Sequence, residues 1–268
     1  QRQMCIRDRR YMQDEVVAII DPEKKGLNSN DVIQIGGDIP VVGSFKDTKK
    51  YKPDHLVIGN APQGGIVSEQ MLIEIKEAIT NGVNIVNGMH EFLSKNTYLK
   101  KLAEKSGSKI IDLRMPPNPP NFPKGSWRER KTPVLLVVGT DCDSGKMTTA
   151  WEIKTRLSAL NKKVKFIGTG QTGILLSDGV AIDAVISDFM SGEMENLIDT
   201  RVKGDTDLMI VEGQGALSNY AYSGVTLGLI HGCMPDYFIL THDPSRAKDV
   251  MGHEIPDIKE FILSLIHI

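Results

Sequence analysis

The chain has 268 residues, 32 basic and 34 acidic, with a formal net charge of −2. That length fits two domains of ordinary size, and so even a charge balance excludes a broad nucleic-acid footprint, which needs a clear basic excess. Three cysteines, Cys5, Cys142 and Cys233, imply no disulfide framework and fit a reducing, cytoplasmic compartment, and no run reaches the ~18 apolar residues of a membrane span.

In chain order, "QRQMCIRDR" (1–9) resembles a translated sequencing-adapter remnant, as does "LSLIHI" (263–268) at the other end. Both are set aside, and the natural protein is expected to extend beyond each. "EVVAII" (15–20) is a short apolar strand stopped by Asp21-Pro22. "IPVVGSF" follows a Gly-Gly pair, and "DHLVIGNAPQGG" (54–65) is a strand running into a Gly/Pro loop. "SEQMLIEIKEAITNG" (68–82) repeats apolar residues at helical spacing, with Ser68 as N-cap and Gly82 as stop. "VNIVNG" is the next strand, "EFLSKNTYLKKLAEKSG" the next helix and "KIIDLR" the strand after it. Strands alternating with helices predict a parallel α/β sheet. Residues 10–114 are thus expected to form a first α/β domain.

"MPPNPPNFPKG" holds five prolines in eleven residues and can be neither helix nor central strand. It predicts a linker over 115–131. A second α/β domain then spans 132–262. "PVLLVV" is its first strand and "TTAWEIKTRLSALNKK" its first helix. "KVKFIGTGQTG" runs a strand into a Gly-rich loop, and "AIDAVISDFMSG" reads as strand or helix. "GEMENLIDTRVKG" is helical. "TDLMIVEGQGAL" is a fully buried strand ending in Glu212, and "PDYFILTHDPSR" is a further strand with its exit loop.

Between "PVLLVV" and its helix lies "GTDCDSGKMTTA" (139–150). A phosphate-binding loop needs glycines for close backbone approach, N–H groups at a helix N-terminus, a lysine for fixed charge and a hydroxyl for Mg²⁺. Here five residues, not four, separate Gly139 from Gly145, and Met147 stands where the hydroxyl is usual. The expected phosphate contacts are Gly139, Thr140, Asp141, Cys142, Gly145, Lys146, Met147, Thr148 and Thr149. Thr148 and Glu212 are the expected Mg²⁺ ligands, because a carboxylate closing a neighbouring buried strand orients that ion. Ligands of open α/β sheets sit at the carboxyl ends of the strands. Catalytic or substrate-binding candidates there are Gln171, Thr172, Asp188, Glu212, Gln214, Tyr222, Ser223 and His231. His231 has a suitable intrinsic pKa for a base, and a structural histidine is the other reading. Cys142 is either a small loop filler or a thiol acidified by loop N–H groups. In the first domain, Gly64-Gly65 and His90-Glu91 are turn and cap signals with a ligand-facing alternative. No G-x-G-x-x-G follows a strand there, so the sequence gives no warrant for NAD.

"GTDCDSGK" with "VEGQG" resembles dethiobiotin synthetase and its relatives, which use a five-residue-spaced loop and a Val-Glu-Gly strand end. Met147 departs from that pattern. A longer resemblance runs through "GGDIPVV", "VIGNAPQGG", "NGMHEFL", "VGTDCDSGKMTTA", "GTGQTGI", "VEGQG" and "YSGVTLGLIHG", over about residues 11 to 250. In this order they resemble a bacterial and archaeal family of unknown function that joins a Rossmann-like N-terminal domain to a P-loop domain. Some of its members are assigned as D-glutamate N-acetyltransferases. The resemblance implies acetyl-CoA as cofactor and an acidic amino acid as small-molecule partner. ATP with Mg²⁺, for a ligase or kinase, is the alternative, and a nucleotide-binding regulator without turnover is the third. No nucleic-acid or membrane partner is expected, and a homo-oligomer stays open.

Overall fold

The computed structural model describes residues 12, 14–34, 37–59, 65–202 and 204–267. The chain divides into two compact units between Met115 and Pro116.

In the first unit, β1 (Ile19–Ile20) pairs in parallel with β2 (Val41–Val42). Between them lies α1 (Ser29–Ile33), and after them comes the short α2 (Phe45–Thr48). A second parallel sheet has the order β3 (His55–Ile58), β4 (Asn84–Asn87), β5 (Ile110–Asp112). Its crossovers are α3 (Glu69–Thr80) and α4 (Thr97–Ser106). Ser68 caps α3 as expected, its hydroxyl accepting from the Met71 N–H at 3.2 Å. The second helix starts later than its periodicity predicts. Asn96 accepts from the Tyr98 and Leu99 N–H groups and sets the start at Thr97, leaving Leu93–Lys95 as a 3₁₀ turn. Because side chains alternate along a strand, Ile58 and Ile85 face the helices and join Ile75, Ile79 and Leu99 in one core.

The second unit is a four-stranded parallel sheet in the order β7 (Val164–Ile167), β8 (Leu208–Glu212), β6 (Val134–Gly139), β9 (Tyr237–Thr241). The strand β6 is buried along its whole length, which is why its sequence is a continuous apolar run. Val134, Leu136 and Val138 face one core with Met194, Ile198 and Leu229, while Leu135 and Val137 face another with Ala150 and Phe166. The helices are α5 (Lys146–Ala159) on the second face and α7 (Ser187–Arg201) with α8 (Ser223–Cys233) on the first, together with the short α6 (Gln171–Leu176) and α9 (Ile258–Ile266). The two segments read separately around Gly192 are the single helix α7. Its glycine is needed because a Cβ there would collide with the backbone of Asn121 and Phe122. At the far end, α9 continues through Leu263–Ile266, and Leu265 is buried with Phe261 in the first core.

The proline-rich segment is bonded to α7. Buried Glu193 accepts from the Asn121 N–H at 2.5 Å, and Glu195 accepts from the Lys124 N–H at 2.5 Å and from the Ser126 N–H and hydroxyl. Phe122 packs edge-on against Phe189. No helix among the described residues is long and apolar enough to cross a membrane.

Candidate functional site

The loop after β6 is shaped by two left-handed residues, Asp143 (φ 57°) and Gly145 (φ 96°). Gly145 is the N-cap of α5, and the first intrahelical bond of that helix runs from the Thr149 N–H to the Gly145 carbonyl at 2.9 Å. The N–H groups of Lys146, Met147 and Thr148 therefore have no acceptor within the helix, and the helix dipole adds positive potential at that point. These donors fit an anion, and a diphosphate or phosphate group suits them. The Lys146 ammonium lies over the loop, donating to the Asp141 carbonyl at 2.6 Å. Burial pulls its pKa below the usual lysine value, against the raising effect of Cys142, Asp141, Asp143 and Glu212. Ser144 and Thr241 hydroxyls bond each other at 2.9 Å, and the Thr140 hydroxyl meets His242 Nδ1 at 3.1 Å.

The Asp141 side chain does not face this nest. It is 1% exposed and accepts from Asn219 Nδ2 at 3.1 Å, from the Val250 N–H at 2.8 Å and from the Arg246 guanidinium. Arg246 also donates to the Cys142 carbonyl at 2.9 Å. One buried carboxylate thus ties the phosphate loop to the loops after β8 and β9. The Cys142 thiol is not acidified by the loop. Burial raises its pKa first; Lys146 opposes, and Asp141 and Asp143 raise it further, with Arg246 opposing again. Met147 is buried, so the residue in the usual hydroxyl position serves the core and Thr148 and Thr149 are the half-buried hydroxyls of the first turn.

Glu212 closes β8 as expected and is buried. Its Oε2 accepts from the Thr169 and Gly170 N–H groups at 2.9 and 3.2 Å. Glycine at 173 lets the carboxylate pass, since a Cβ there would collide with it. Mg²⁺ commonly takes one or two carboxylates plus phosphate oxygens and waters. Of the two expected ligands, Glu212 has one oxygen taken up by the Thr169 and Gly170 N–H groups, and Thr148 is half-buried in the first turn of α5. Among the described residues, no three His, Cys, Asp or Glu side chains gather into a metal cage.

The structure brings several candidates to the same edge. Gln214 Nε2 donates to the Thr169 hydroxyl at 3.1 Å, and its carbonyl accepts from the Thr226 hydroxyl. Gln171 and Thr172 open α6 directly after Gly170. Tyr222 and Ser223 donate through their N–H groups to Asn219, the partner of Asp141. Asp188 is exposed in the first turn of α7. His231 is not brought there. It lies in the last turn of α8, three residues before Met234, whose carbonyl Arg130 binds; Asp236 then donates to Val134 at the start of β6. Helices antiparallel to the strands carry their C-termini to the amino edge, so His231 instead lines a cavity of ≈ 740 Å³ with Trp127, Arg130 and Phe238.

In the first unit, His90 and Glu91 N–H groups both donate to the Gly65 carbonyl, and Glu91 accepts from the Val67 N–H. Gly65 has φ 63°, and a Cβ there would strike His90. These signals therefore fold a loop locally. Gly64 lies outside the described residues.

Sequence reasoning missed Thr169, Asn219, His242, Arg246 and Asp249. The one available signal was that Thr241-His242 follows an apolar strand directly. Arg246 has none, because its partner stands 105 residues away.

Residues 22–116 match a family model described as a domain of unknown function, Rossmann-like, and residues 121–268 match its P-loop counterpart. A crystal structure of a DUF1611 family protein from Anabaena variabilis superposes with a TM-score of 0.92 at 34% identity, covering 98% of this chain and 77% of that one. A protein from Pseudoalteromonas sp. named D-glutamate N-acetyltransferase is 43% identical over 222 residues, 82% of this chain and 66% of its own. One of the same name from Tritonibacter scottomollicae is 38% identical over 81% of this chain and 65% of its own. The chain therefore spans about two thirds of the length of these curated relatives. The two matched models and the fold place it plainly: the chain belongs to the DUF1611 family, a Rossmann-like domain followed by a P-loop domain.

Proposed function

We propose that the chain carries an N-acetyltransferase activity, moving acetyl from acetyl-CoA to the amine of D-glutamate or a similar acidic amino acid in the cytoplasm. The observation that carries this reading is the 43% identity to a protein named D-glutamate N-acetyltransferase. The geometry supports it with a nest suited to the coenzyme's phosphates, formed by Lys146 and the first N–H groups of α5.

In this reaction the free amine attacks the thioester carbonyl, a C–N bond forms, the C–S bond breaks, and the ammonium proton passes to a base. Coenzyme A separates its thioester from its diphosphate by an arm on the order of 15 Å at ordinary bond lengths. Residues beside the loop, Glu212 and Gln214 among them, therefore act on the phosphate end. Gln171, Thr172, Tyr222 and Ser223 stand against Glu212, Gln214 or Asn219 at that same end, so Asp188, exposed in the first turn of α7, is the candidate to meet the reacting carbonyl further along the carboxyl edge.

The test is to supply acetyl-CoA with D-glutamate, follow free thiol, and identify N-acetylglutamate by mass. L-Glutamate and excess EDTA are the controls. Thiol release that persists in EDTA is expected. Strict Mg²⁺ dependence with ADP formation would instead favour an ATP-dependent ligase or kinase. Binding of nucleotide without any product would favour a regulator.

A further inference from the structure

Metal-dependent phosphate loops hold Mg²⁺ with the hydroxyl after their lysine and a carboxylate from a neighbouring strand end. Neither group is set for that here. The residue after Lys146 is Met147, which is 2% exposed and has no oxygen in its side chain. Thr148 comes one residue later, about 100° further round the axis of α5.

The buried Glu212 carboxylate is engaged elsewhere. In the sheet, β8 lies between β6 and β7. The bonds to Glu212 Oε2 come from the β7 side, from the Thr169 and Gly170 N–H groups at 2.9 and 3.2 Å. The Thr169 hydroxyl donates to the Glu212 carbonyl at 2.7 Å and accepts from Gln214 Nε2 at 3.1 Å. A Cβ at Gly170 would strike Gln214, and one at Gly173 would strike the carboxylate itself. These contacts fasten the 168–171 turn to the end of β8. Of the phosphate loop's own carboxylates, Asp141 is engaged by Asn219, Arg246 and Val250, and Asp143 is the exposed one. The donor set does not fit Mg²⁺.

What the nest offers is positive charge. Lys146 and the amino end of α5 together supply about one and a half charges, the helix dipole counting as about half. A diphosphate esterified at both ends carries about two negative charges, and a terminal phosphate adds up to about one more because its second pKa is near 6. The nest nearly balances the first without a cation and falls well short of a nucleoside triphosphate.

We propose that the loop binds a doubly esterified diphosphate, the kind coenzyme A carries, without a divalent cation, and that Glu212 is a positioning residue that latches the 168–171 turn to β8. The inference rests on the phosphate-loop reading above and narrows its ligand class.

The experiment measures calorimetric affinity of the full chain for acetyl-CoA and, separately, for ADP, each in excess EDTA and in excess Mg²⁺. It compares wild type with Glu212→Gln, Glu212→Ala and Asp143→Asn. Wild-type affinity for acetyl-CoA should agree within about twofold between the two conditions, and Asp143→Asn should behave alike. A larger gain in Mg²⁺ overturns the metal-free reading. Glu212→Gln keeps an oxygen for the Thr169 and Gly170 N–H groups, so it should bind acetyl-CoA within about threefold of wild type, whereas Glu212→Ala should lose about tenfold. An equal loss in both variants, as a metal ligand would give, overturns the latch. So does wild-type affinity in Glu212→Ala. Should Glu212→Ala unfold, the glutamine variant decides: reduced affinity at a wild-type melting temperature overturns the latch. Binding of ADP without acetyl-CoA overturns the ligand class. Acetyl-CoA bound in EDTA with no N-acetylglutamate formed would fail the acetyltransferase reading and leave this inference standing. Binding of neither ligand in either condition removes the phosphate-loop reading and this inference with it.

Discussion

Each unit places a carboxylate at the carboxyl edge of its sheet and loads it with several donors. In the first unit it is Asp112, which accepts from Asn87 Nδ2 at 2.6 Å and from the Leu93 and Ser94 N–H groups at 3.1 and 2.9 Å. In the second it is Asp141, with Asn219, Arg246 and Val250. The difference is reach. The donors to Asp112 stand 18 to 25 residues away, within one strand-loop-helix passage, and those to Asp141 stand 78 to 109 residues away. The first clamp folds a single loop. The second registers three loops around an anion nest, as a ligand site built from separate strands requires.

The sheets themselves are alike in burial. Edge-strand residues are exposed in both, Val57 and Ile111 in the first and Tyr237 and Phe238 in the second, while the central strands β4 and β6 are buried. A strand buried on both faces is held rigidly, so the loop at its end inherits a fixed position.

The sharpest break of this comparison is Asp141→Ala. It leaves Arg246 without its carboxylate and Asn219 and Val250 without an acceptor. The expected loss is about 3 kcal/mol of stability, at the low end for a broken buried pair because Arg246 is partly exposed. Phosphate-ligand affinity should fall with it, as thermal melts with and without ligand will show.

Asp112→Ala should cost about 2 kcal/mol through lost bonds to a charged acceptor. Because that clamp is local, affinity for pyrophosphate should stay at wild-type level. A loss of binding equal to that in Asp141→Ala would end the contrast.

Lys146→Ala tests the nest itself. One charge-assisted contact is worth about 1.5–3 kcal/mol, or a ten- to hundredfold loss of affinity, with a folded protein. Unchanged binding in the calorimeter would remove Lys146 from the site.

Glu195 tests the strap against α7. Burial raises its pKa, but the Ser126 hydroxyl and the N–H groups of Lys124, Ser126 and Gly125 outweigh burial and hold it below 4.5, the ordinary glutamate value. A depressed carboxylate stabilises the fold above the unfolded pKa and loses that contribution as pH falls through the folded one. Protease cleavage within 116–126 should therefore rise on acidification below 4.5 in wild type. In Glu195→Gln, which loses about 1 kcal/mol, it should already be raised at neutral pH.

The smallest effect belongs to His231→Ala, on the amino edge. Stability should stay within about 0.5 kcal/mol, and the proposed acetyl transfer, assayed as thiol release, within twofold. A larger loss of turnover would mean that the amino-edge cavity takes part in the reaction.

The amino-acid sequence by itself determined the alternation of strands and helices, the strand-loop-helix context of the phosphate loop and the carboxylate that closes β8. These are local properties. Periodicity, a cap such as Ser68 and a glycine between strand and helix act within a few residues, so they stand in the sequence in order. Tertiary structure alone decided which polar groups face the nest. Asp141 lies inside the loop yet turns away to Arg246, and Met147 turns into the core. Tyr222 and His231 open and close the same helix and end at opposite edges of the sheet, because α8 runs antiparallel to the strands. The rings of Tyr220 and His253, which meet edge to face, come from loops 33 residues apart, joined through a carboxylate that belongs to neither. Pairings across such separations leave no periodic trace. They exist because a parallel sheet gathers the ends of its strands at one edge.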